Sequence, residues 1–121
     1  MEITSTTSVL SPIGSISFPY KGGIHRFRSD QIIRLEADSN YTFIHLENRK
    51  PVLMAKVLSE YEKVLEHFGF IRIHRSHLVN RQHIADVQPN QVVMDDQSKA
   101  EISRRKRKEV FQLLIESIQV A

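Results

Sequence analysis

The sequence predicts a single, mostly β domain with two helices, and three observations support this fold class. Most of the chain divides into short segments in which apolar and polar residues alternate, while two longer segments repeat apolar residues at helical spacing. The chain has 121 residues, of which 40% are hydrophobic, and it contains no cysteine. A chain of this size can bury one core without disulfides or a structural metal.

The strands are predicted to follow an unstructured start of the chain. Residues 1–15 are rich in Ser and Thr and show no period, so we expect a flexible lead-in there and one domain over residues 16–121. The alternating pattern predicts strands over residues 16–20, 24–28, 31–37, 41–46, 70–73, 83–88, 91–94 and 99–102. Residues 38–40 and 89–90 have the composition of turns.

Two segments change to the helical period. The apolar stripe of residues 56–68 consists of Val57, Leu58, Tyr61, Val64, Leu65 and Phe68. Gly69 follows as a helix stop. The stripe of residues 104–118 consists of Val110, Phe111, Leu114, Ile115 and Ile118. Ser103 occupies the position of an N-cap for this second helix.

The composition limits the class of protein and the compartment. Without cysteine, neither a disulfide framework nor a cysteine-based zinc site can form, which favours a reducing compartment. The apolar runs are much shorter than a membrane span, and residues 1–15 lack the basic and apolar regions of a signal peptide. We therefore expect a cytoplasmic protein with no membrane contact and no cofactor.

The positive charge is concentrated late in the chain. The formal net charge is +3 and the pI is about 9.4, yet every residue from Arg104 to Lys108 is basic. The first turn of a helix is the positive end of its dipole, so each basic side chain there is unfavourable by about 0.3–1 kcal/mol. A phosphate bound at that turn would reverse this effect, and an arginine can also recognise a guanine edge. The charge run by itself is equally compatible with a solvated surface.

Two further polar segments favour a nucleic-acid surface. Residues 71–77 bring two arginines and two histidines to the end of a strand, and residues 78–81 continue a stretch that looks too polar for a simple core strand. Asn40 and Tyr41 begin a strand directly after a turn. From that position an amide and an aromatic ring can reach into a groove of DNA.

Three segments together resemble the signature segments of the LytTR family of bacterial DNA-binding domains. They are LEADSNYT at residues 35–42, FIRIHRSHLVN at residues 70–80 and ISRR at residues 102–105. The middle segment is the most specific, and the resemblance runs from about residue 16 to residue 114. It implies an elongated fold of about ten short strands in small antiparallel sheets, with helices at about residues 56–68 and 104–118. Such a domain contacts DNA from loops and not through a recognition helix.

Members of this family contact bases from three places, and the resemblance implies that these correspond to Asn40, Arg75 and Arg105. The outer two are similar to major-groove contacts and Arg75 to a minor-groove contact. The residues implied for DNA-backbone contact or positioning are Ser39, Tyr41, His74, Ser76, Asn80, Arg104, Lys106, Arg107 and Lys108. The implied partner is double-stranded DNA, and the implied function is sequence-specific transcription regulation of the response-regulator kind.

The sequence departs from the usual family arrangement in one respect. Members are commonly fused to a phosphoacceptor receiver domain, and the residues before Ile16 are too few to form one. We expect either a stand-alone regulator or part of a longer one. Members also tend to bind paired repeats as two copies, and the sequence has no coiled-coil heptads, so we expect a homodimer that is weak or depends on DNA.

Three other interpretations remain open on the sequence alone. Six histidines suggest a metal-dependent enzyme, but His74 and His77 lie in a strand-to-turn pattern without a His-Glu-x-x-His motif, so we expect no enzyme. An RNA-binding module would need several exposed aromatic rings, and Tyr41 is the main candidate. A protein-interaction module could use the lead-in or the acidic residues 95–96.

Overall fold

The computed structural model describes residues 12–116, and this part of the chain contains ten strands and two α-helices. The strands are β1 (Ser15–Tyr20), β2 (Gly23–Arg28), β3 (Ile32–Asp38), β4 (Tyr41–Leu46), β5 (Val52–Met54), β6 (Phe70–His74), β7 (His77–Asn80), β8 (Ile84–Val87), β9 (Gln91–Met94) and β10 (Lys99–Glu101). The helices are α1 (Ser59–His67) and α2 (Arg107–Glu116). The predicted class, mostly β with two helices, is confirmed.

The strands form three small antiparallel sheets. The central sheet has five strands in the order β5-β4-β3-β7-β6, and a three-stranded sheet has the order β10-β9-β8. Strands β1 and β2 form a separate hairpin. Strands β8 and β9 pair around the turn predicted at residues 89–90. Every connection inside a sheet is therefore short or passes through one of the two helices.

The five-stranded sheet separates two apolar cores. On one face, the fully buried Leu35 and Leu78 pack beneath α1 and the β1–β2 hairpin, where the rings of Phe18 and Tyr61 are 5.4 Å apart. On the other face, Ile33 belongs to a second core that includes residues of β9, β10 and α2. Because both faces are covered, a partner can reach this sheet at the turns between its strands and along its edge strand β5.

Strands β5 and β7 were not identified from the sequence. Strand β5 has only three residues, which is too short to show a period. Strand β7 falls in the stretch that looked too polar for a core strand, yet all four of its residues are buried and it pairs with both β3 and β6. That expectation is wrong because the polar residues of β7 are accommodated inside the protein, as described below.

Helix α1 begins at Ser59, three residues later than predicted. The carbonyl of Lys56 accepts a hydrogen bond from the buried hydroxyl of Thr42 at 2.7 Å, so this residue is held by the sheet and not by the helix. Val64 is 53% exposed although its spacing predicts a buried position. Gly69, with φ of 89°, follows the helix as predicted.

Residues just before the predicted first strand are already held by hydrogen bonds. Gly14 and Ser29 exchange two hydrogen bonds, from the N–H of Gly14 to Oγ at 3.1 Å and from the N–H of Ser29 to the carbonyl at 2.7 Å. Strand β1 then starts at Ser15. Most of the predicted lead-in, residues 1–11, lies outside the described residues, and so does the predicted end of the second helix at Ile118.

Candidate nucleic-acid interface

Two of the predicted contact segments lie at the same end of the five-stranded sheet. The β3–β4 turn contains Ser39 and Asn40, and the two-residue β6–β7 turn contains Arg75 and Ser76. Strands β3 and β7 are antiparallel neighbours, and the N–H of Ala37 donates to the carbonyl of Ser76 at 2.9 Å. Since neighbouring hairpins are offset by two strand spacings, the centres of the two turns are about 10 Å apart.

The third predicted base contact, Arg105, belongs to residues 103–106, which lie beside β6 at this end. The N–H of Ser103 donates to the carbonyl of Ile73 at 2.7 Å, and the N–H of Ile102 donates to the carbonyl of Asn90 at 2.9 Å. Across the sheet the order is therefore the 39–40 turn, the 75–76 turn and the 103–106 segment. We call these three segments, together with Tyr41 and Lys56 beside the first and Lys108 after the third, the turn end of the domain.

The first two segments present accessible side chains. The exposed residues are Ser39, Asn40, Tyr41 and Arg75. Ser39 has a φ of 56°, in the left-handed region, and Asn40 follows it at the tip of the turn. His74 and Ser76 flank Arg75 and are partly buried, and Nδ1 of His74 accepts the N–H of Ser76 at 3.0 Å. Arg75 is therefore exposed on a turn whose backbone is hydrogen-bonded.

The basic run at residues 104–108 is divided between a turn and a helix. Oγ of Ser103 accepts the N–H of Lys106 at 3.3 Å, which closes a turn. The N–H of Val110 bonds to the carbonyl of Lys106 at 2.9 Å, and α2 begins at Arg107. The predicted helix start at residue 104 is wrong because this capped turn precedes the helix. Three of the five basic residues therefore lie outside the first helical turn.

The basic side chains of this run differ in their surroundings. Arg107 is half-buried, and its Nη2 donates to Oδ1 of Asn90 on the β8–β9 turn. Glu109 adds a negative charge to the first turn of α2, which further weakens the predicted dipole penalty. The exposed members of the run are Arg104, Arg105, Lys106 and Lys108, and within residues 12–116 none of them forms an ion pair. These four charges are available to a polyanion.

Asn80 does not belong to this surface. It is 1% exposed and lies at the opposite end of β7 from the turn end. Its Nδ2 donates to the carbonyls of Ser29 and Ile32 at 3.2 and 2.9 Å, and its Oδ1 accepts the N–H of Gln82 at 3.0 Å. Asn80 is therefore not exposed for direct contact with DNA, because its polar atoms are buried and hydrogen-bonded within the fold. A positioning role for Asn80 stays a prediction.

Lys56 belongs to the turn end but was missed from the sequence. The bond between the Thr42 hydroxyl and the Lys56 carbonyl holds this lysine beside the start of β4, next to Tyr41, and the residue is exposed. Its position just before an apolar helical pattern led to its assignment to the helix. Strand β5 has only three residues and shows no period, so the sequence does not indicate that Lys56 lies beside the sheet.

A polar cluster lies behind the β6–β7 turn. Oε1 of Glu36 accepts from Arg34 at 3.3 Å and contacts Nε2 of His45 at 3.0 Å. Burial, reinforced by the charge of Arg34, lowers the pKa of His77 to about 4, so its ring is neutral near pH 7. Burial also lowers the pKa of His45. The positive charge of this turn therefore comes from the exposed Arg75 and not from the histidine behind it.

Metal and membrane sites find no support in the described part of the chain. Within residues 12–116, no group of three or more His, Asp or Glu side chains is placed to hold a metal ion. His74 and His77 have ring centroids 5.4 Å apart, and His77 is only 8% exposed. No helix in the same residues is long and apolar enough to cross a membrane.

A small antiparallel β domain that exposes amide and basic side chains on three neighbouring loops has a surface suited to a nucleic acid. Residues 22–115 match the LytTr DNA-binding domain family. The chain belongs to the LytTR family of DNA-binding domains, and the resemblance noted in the sequence is confirmed.

Two related proteins, both called LytR, support the assignment to this family. The transcriptional regulatory protein LytR of Staphylococcus aureus is 40% identical over 65 residues, which cover 54% of this chain and 26% of that protein. The sensory transduction protein LytR of Staphylococcus saprophyticus is 31% identical over 101 residues, covering 75% of this chain and 37% of the relative. The chain therefore spans well under half the length of these relatives.

A solved LytTr DNA-binding domain from Bacillus cereus has the same fold. It superposes with a TM-score of 0.70 at 25% sequence identity, and the match covers 83% of this chain and 95% of the other. The three small antiparallel sheets and two helices are thus the fold of this family.

Proposed function

We propose that this domain binds a defined sequence of double-stranded DNA and is the DNA-reading part of a transcription regulator. The observation that carries the proposal is the order of the three loops at the turn end, each with an exposed side chain that can hydrogen-bond a base edge: Asn40, Arg75 and Arg105. Amide and guanidinium groups recognise adenine and guanine in the major groove, which suits the outer two. An arginine inserted into a narrow minor groove suits the central Arg75.

The other exposed groups of the turn end are proposed to contact the DNA backbone. The cations are Lys56, Arg104, Lys106 and Lys108, and the neutral groups are Ser39 and Tyr41. The partly buried His74, Ser76 and Arg107 position their loops. Cations that neutralise phosphates release counterions, so binding by this surface should weaken steeply with salt.

Selection of bound sequences from random duplex DNA supplies both the probe and the first test. Arg105→Ala is expected to weaken binding to the selected site by about 1–3 kcal/mol and to leave binding to random duplex nearly unchanged. Lys106→Ala is expected to weaken both alike and to lower the salt slope by about one unit. Equal losses on both duplexes for Arg105→Ala would contradict a base contact by this residue.

A core substitution provides the matched control for folding. Leu58 and Leu114 are 2% and 1% exposed, so Leu→Ala at either position should lower the free energy of unfolding by about 2–5 kcal/mol. Sequence preference should not change, because neither side chain reaches the turn end. A changed selected motif for either variant would show that the interface lies elsewhere.

The same titrations separate duplex DNA from single-stranded RNA and test self-association. At the turn end the exposed aromatic ring is Tyr41, which is a small stacking platform for single strands. We expect single-stranded RNA to compete poorly with the selected duplex.

We also propose that two copies bind paired sites, so a selected motif with two half-sites and a two-to-one complex on DNA is the expected result.

A further inference from the structure

Arg72 has surroundings very different from those of Arg75, although both lie in the same arginine- and histidine-rich segment. Its guanidinium makes three hydrogen bonds within the protein. Nε donates to the carbonyl of His74 at 2.9 Å and Nη2 to the carbonyl of Arg75 at 2.5 Å. Nη1 donates to Oε1 of Glu62 at 2.5 Å, with both side chains partly buried. One guanidinium thus connects helix α1 to the β6–β7 turn.

The β6–β7 turn has a backbone that needs such support. Two-residue hairpin turns usually adopt types I′ or II′, which match the twist of the strands and require positive φ. In residues 12–116 the non-glycine residues with positive φ are Ser39, Asn48 and Gln97, so neither central residue of this turn has it. The pairing of β6 with β7 also shifts register between Arg72 and His74. Side-chain hydrogen bonds therefore hold a turn that the strand twist does not favour.

We propose that Arg72 is a positioning residue for DNA recognition. Together with Glu62 it holds the carbonyls of the β6–β7 turn, so that Arg75 projects toward DNA from a preorganised backbone. Preorganisation improves affinity because less conformational freedom is lost on binding. The inference rests on the proposed contact of Arg75 with DNA. A lysine should not replace Arg72, because a single ammonium lacks the planar fork that bonds two carbonyls and a carboxylate together.

The first part of the test examines the turn in the free protein. In Arg72→Lys, hydrogen exchange at the amide of Ser76 should accelerate about tenfold, because the turn opens more often when its carbonyls lose their donor. The thermal unfolding midpoint should stay near that of the wild type, which separates local opening from loss of the fold. Unchanged exchange at Ser76 would overturn the role of Arg72 in holding the turn.

The second part measures binding to the selected duplex and to random duplex over a range of salt concentrations. Arg72→Lys should weaken binding to the selected site about tenfold, with the salt slope and random-duplex binding unchanged. The double variant Arg72→Lys with Arg75→Ala should bind no more weakly than Arg75→Ala alone, because Arg72 acts through Arg75.

Matched glutamates provide the control on α1. Glu62→Gln should weaken binding to the selected duplex in the same direction but by only about threefold, because a neutral oxygen remains to accept the bond. Glu66→Gln should have no effect, since Glu66 lies one turn further along and is exposed.

Two other results would contradict either the role of Arg72 or that of Arg75. Additive losses in the double variant, with a salt slope reduced by about one unit for Arg72→Met, would show that Arg72 contacts phosphate itself and would overturn the proposal. Accelerated exchange in Arg72→Lys, combined with full affinity of Arg75→Ala, would instead overturn the proposed contact of Arg75. The two failures are therefore distinguishable.

Discussion

The two ends of the five-stranded sheet differ in how their polar and charged side chains find partners. At the opposite end, His83 contacts the carbonyl of Asp30 at 2.6 Å and the carboxylate of Asp95 at 2.8 Å, and Asn80 bonds to three backbone groups. At the turn end, Arg75 and Arg105 are exposed, and within the described residues neither forms an ion pair. Asn80 and His83 therefore find their partners within the protein, whereas Arg75 and Arg105 leave theirs to be supplied from outside.

This difference separates stability from binding. Buried groups at the opposite end cannot regain water if a partner is removed, so substitutions there should lower the free energy of unfolding. Exposed charges at the turn end keep their hydration in the free protein, so substitutions there should change binding and leave folding almost unaffected. Substitutions at buried and at exposed positions can therefore test this separation.

Two asparagines provide the sharpest contrast. Asn80→Ala should lower the free energy of unfolding by about 1–3 kcal/mol for each buried group left without a partner, and should not affect DNA affinity while the protein is folded. Asn40→Ala should do the reverse. It should weaken binding to the selected duplex and leave the free energy of unfolding unchanged. Urea unfolding and DNA titration of both variants provide the measurements, and equal stability losses in the two would remove the distinction between the ends.

Acid should destabilise the fold through His77. The unfolded chain takes up a proton near the ordinary pKa of 6.5, whereas the folded protein does so only near its lowered pKa of about 4. The free energy of unfolding should therefore fall by up to about 1.4 kcal/mol per pH unit between these values as the pH is lowered. His77→Gln should lack this part of the slope, and an unchanged profile in the variant would contradict the assignment.

His83 should show the opposite pH dependence. Burial alone would lower its pKa, but its contacts with Asp30 and Asp95 outweigh burial and raise the pKa above 6.5. The stabilisation is thus fully present below about pH 6.5 and is lost as the pH rises through the raised pKa. We expect His83→Gln to cost more stability at pH 6 than at pH 9. A cost that grows with pH would mean that the ring is neutral in the folded protein.

Two lysines at the ends of β5 test the smallest effect. Lys56 lies at the turn end and Lys50 precedes β5 at the opposite end, and both are exposed. Lys56→Ala should weaken binding to all duplexes a few-fold and lower the salt slope of binding by about one unit, as expected for the loss of one phosphate contact. Lys50→Ala should leave the slope unchanged. Equal slopes for the two variants would exclude Lys56 from the interface.

Much of the fold could be predicted from local patterns. Strand β4 and the turn before it follow from strict alternation, with Thr42, Ile44 and Leu46 buried. Strand β7 could not be predicted, because the side chain of Asn80 bonds to backbone groups about 50 residues earlier in the chain, which no local pattern reveals. The start of α1 was misplaced for a similar reason, since the bond from Thr42 to Lys56 is not visible in the spacing of apolar residues.

The candidate site was only partly predictable for the same physical reason. Exposed positions such as Asn40 and Arg75 follow from turn chemistry and from the family resemblance. The sequence could not distinguish Arg72 from Arg75. Arg72 points into the protein because its guanidinium bonds to the carboxylate of Glu62 on α1, and the sequence alone does not show that α1 packs against β6. Nor could it separate Arg107 from Arg105, since the partner of Arg107 lies on a turn of another sheet.

The backbone hydrogen bond between Ser103 and Ile73 has a consequence for operator architecture. Because it attaches the 103–106 segment to the edge strand of the sheet, the interval between Arg75 and Arg105 is set by the protein and cannot stretch along the duplex. One inserted base pair would shift the outer base by about 3.4 Å and rotate it by about a tenth of a turn. An operator read in the proposed way should therefore tolerate base changes between the proposed contact points, but not a change in the number of base pairs between them.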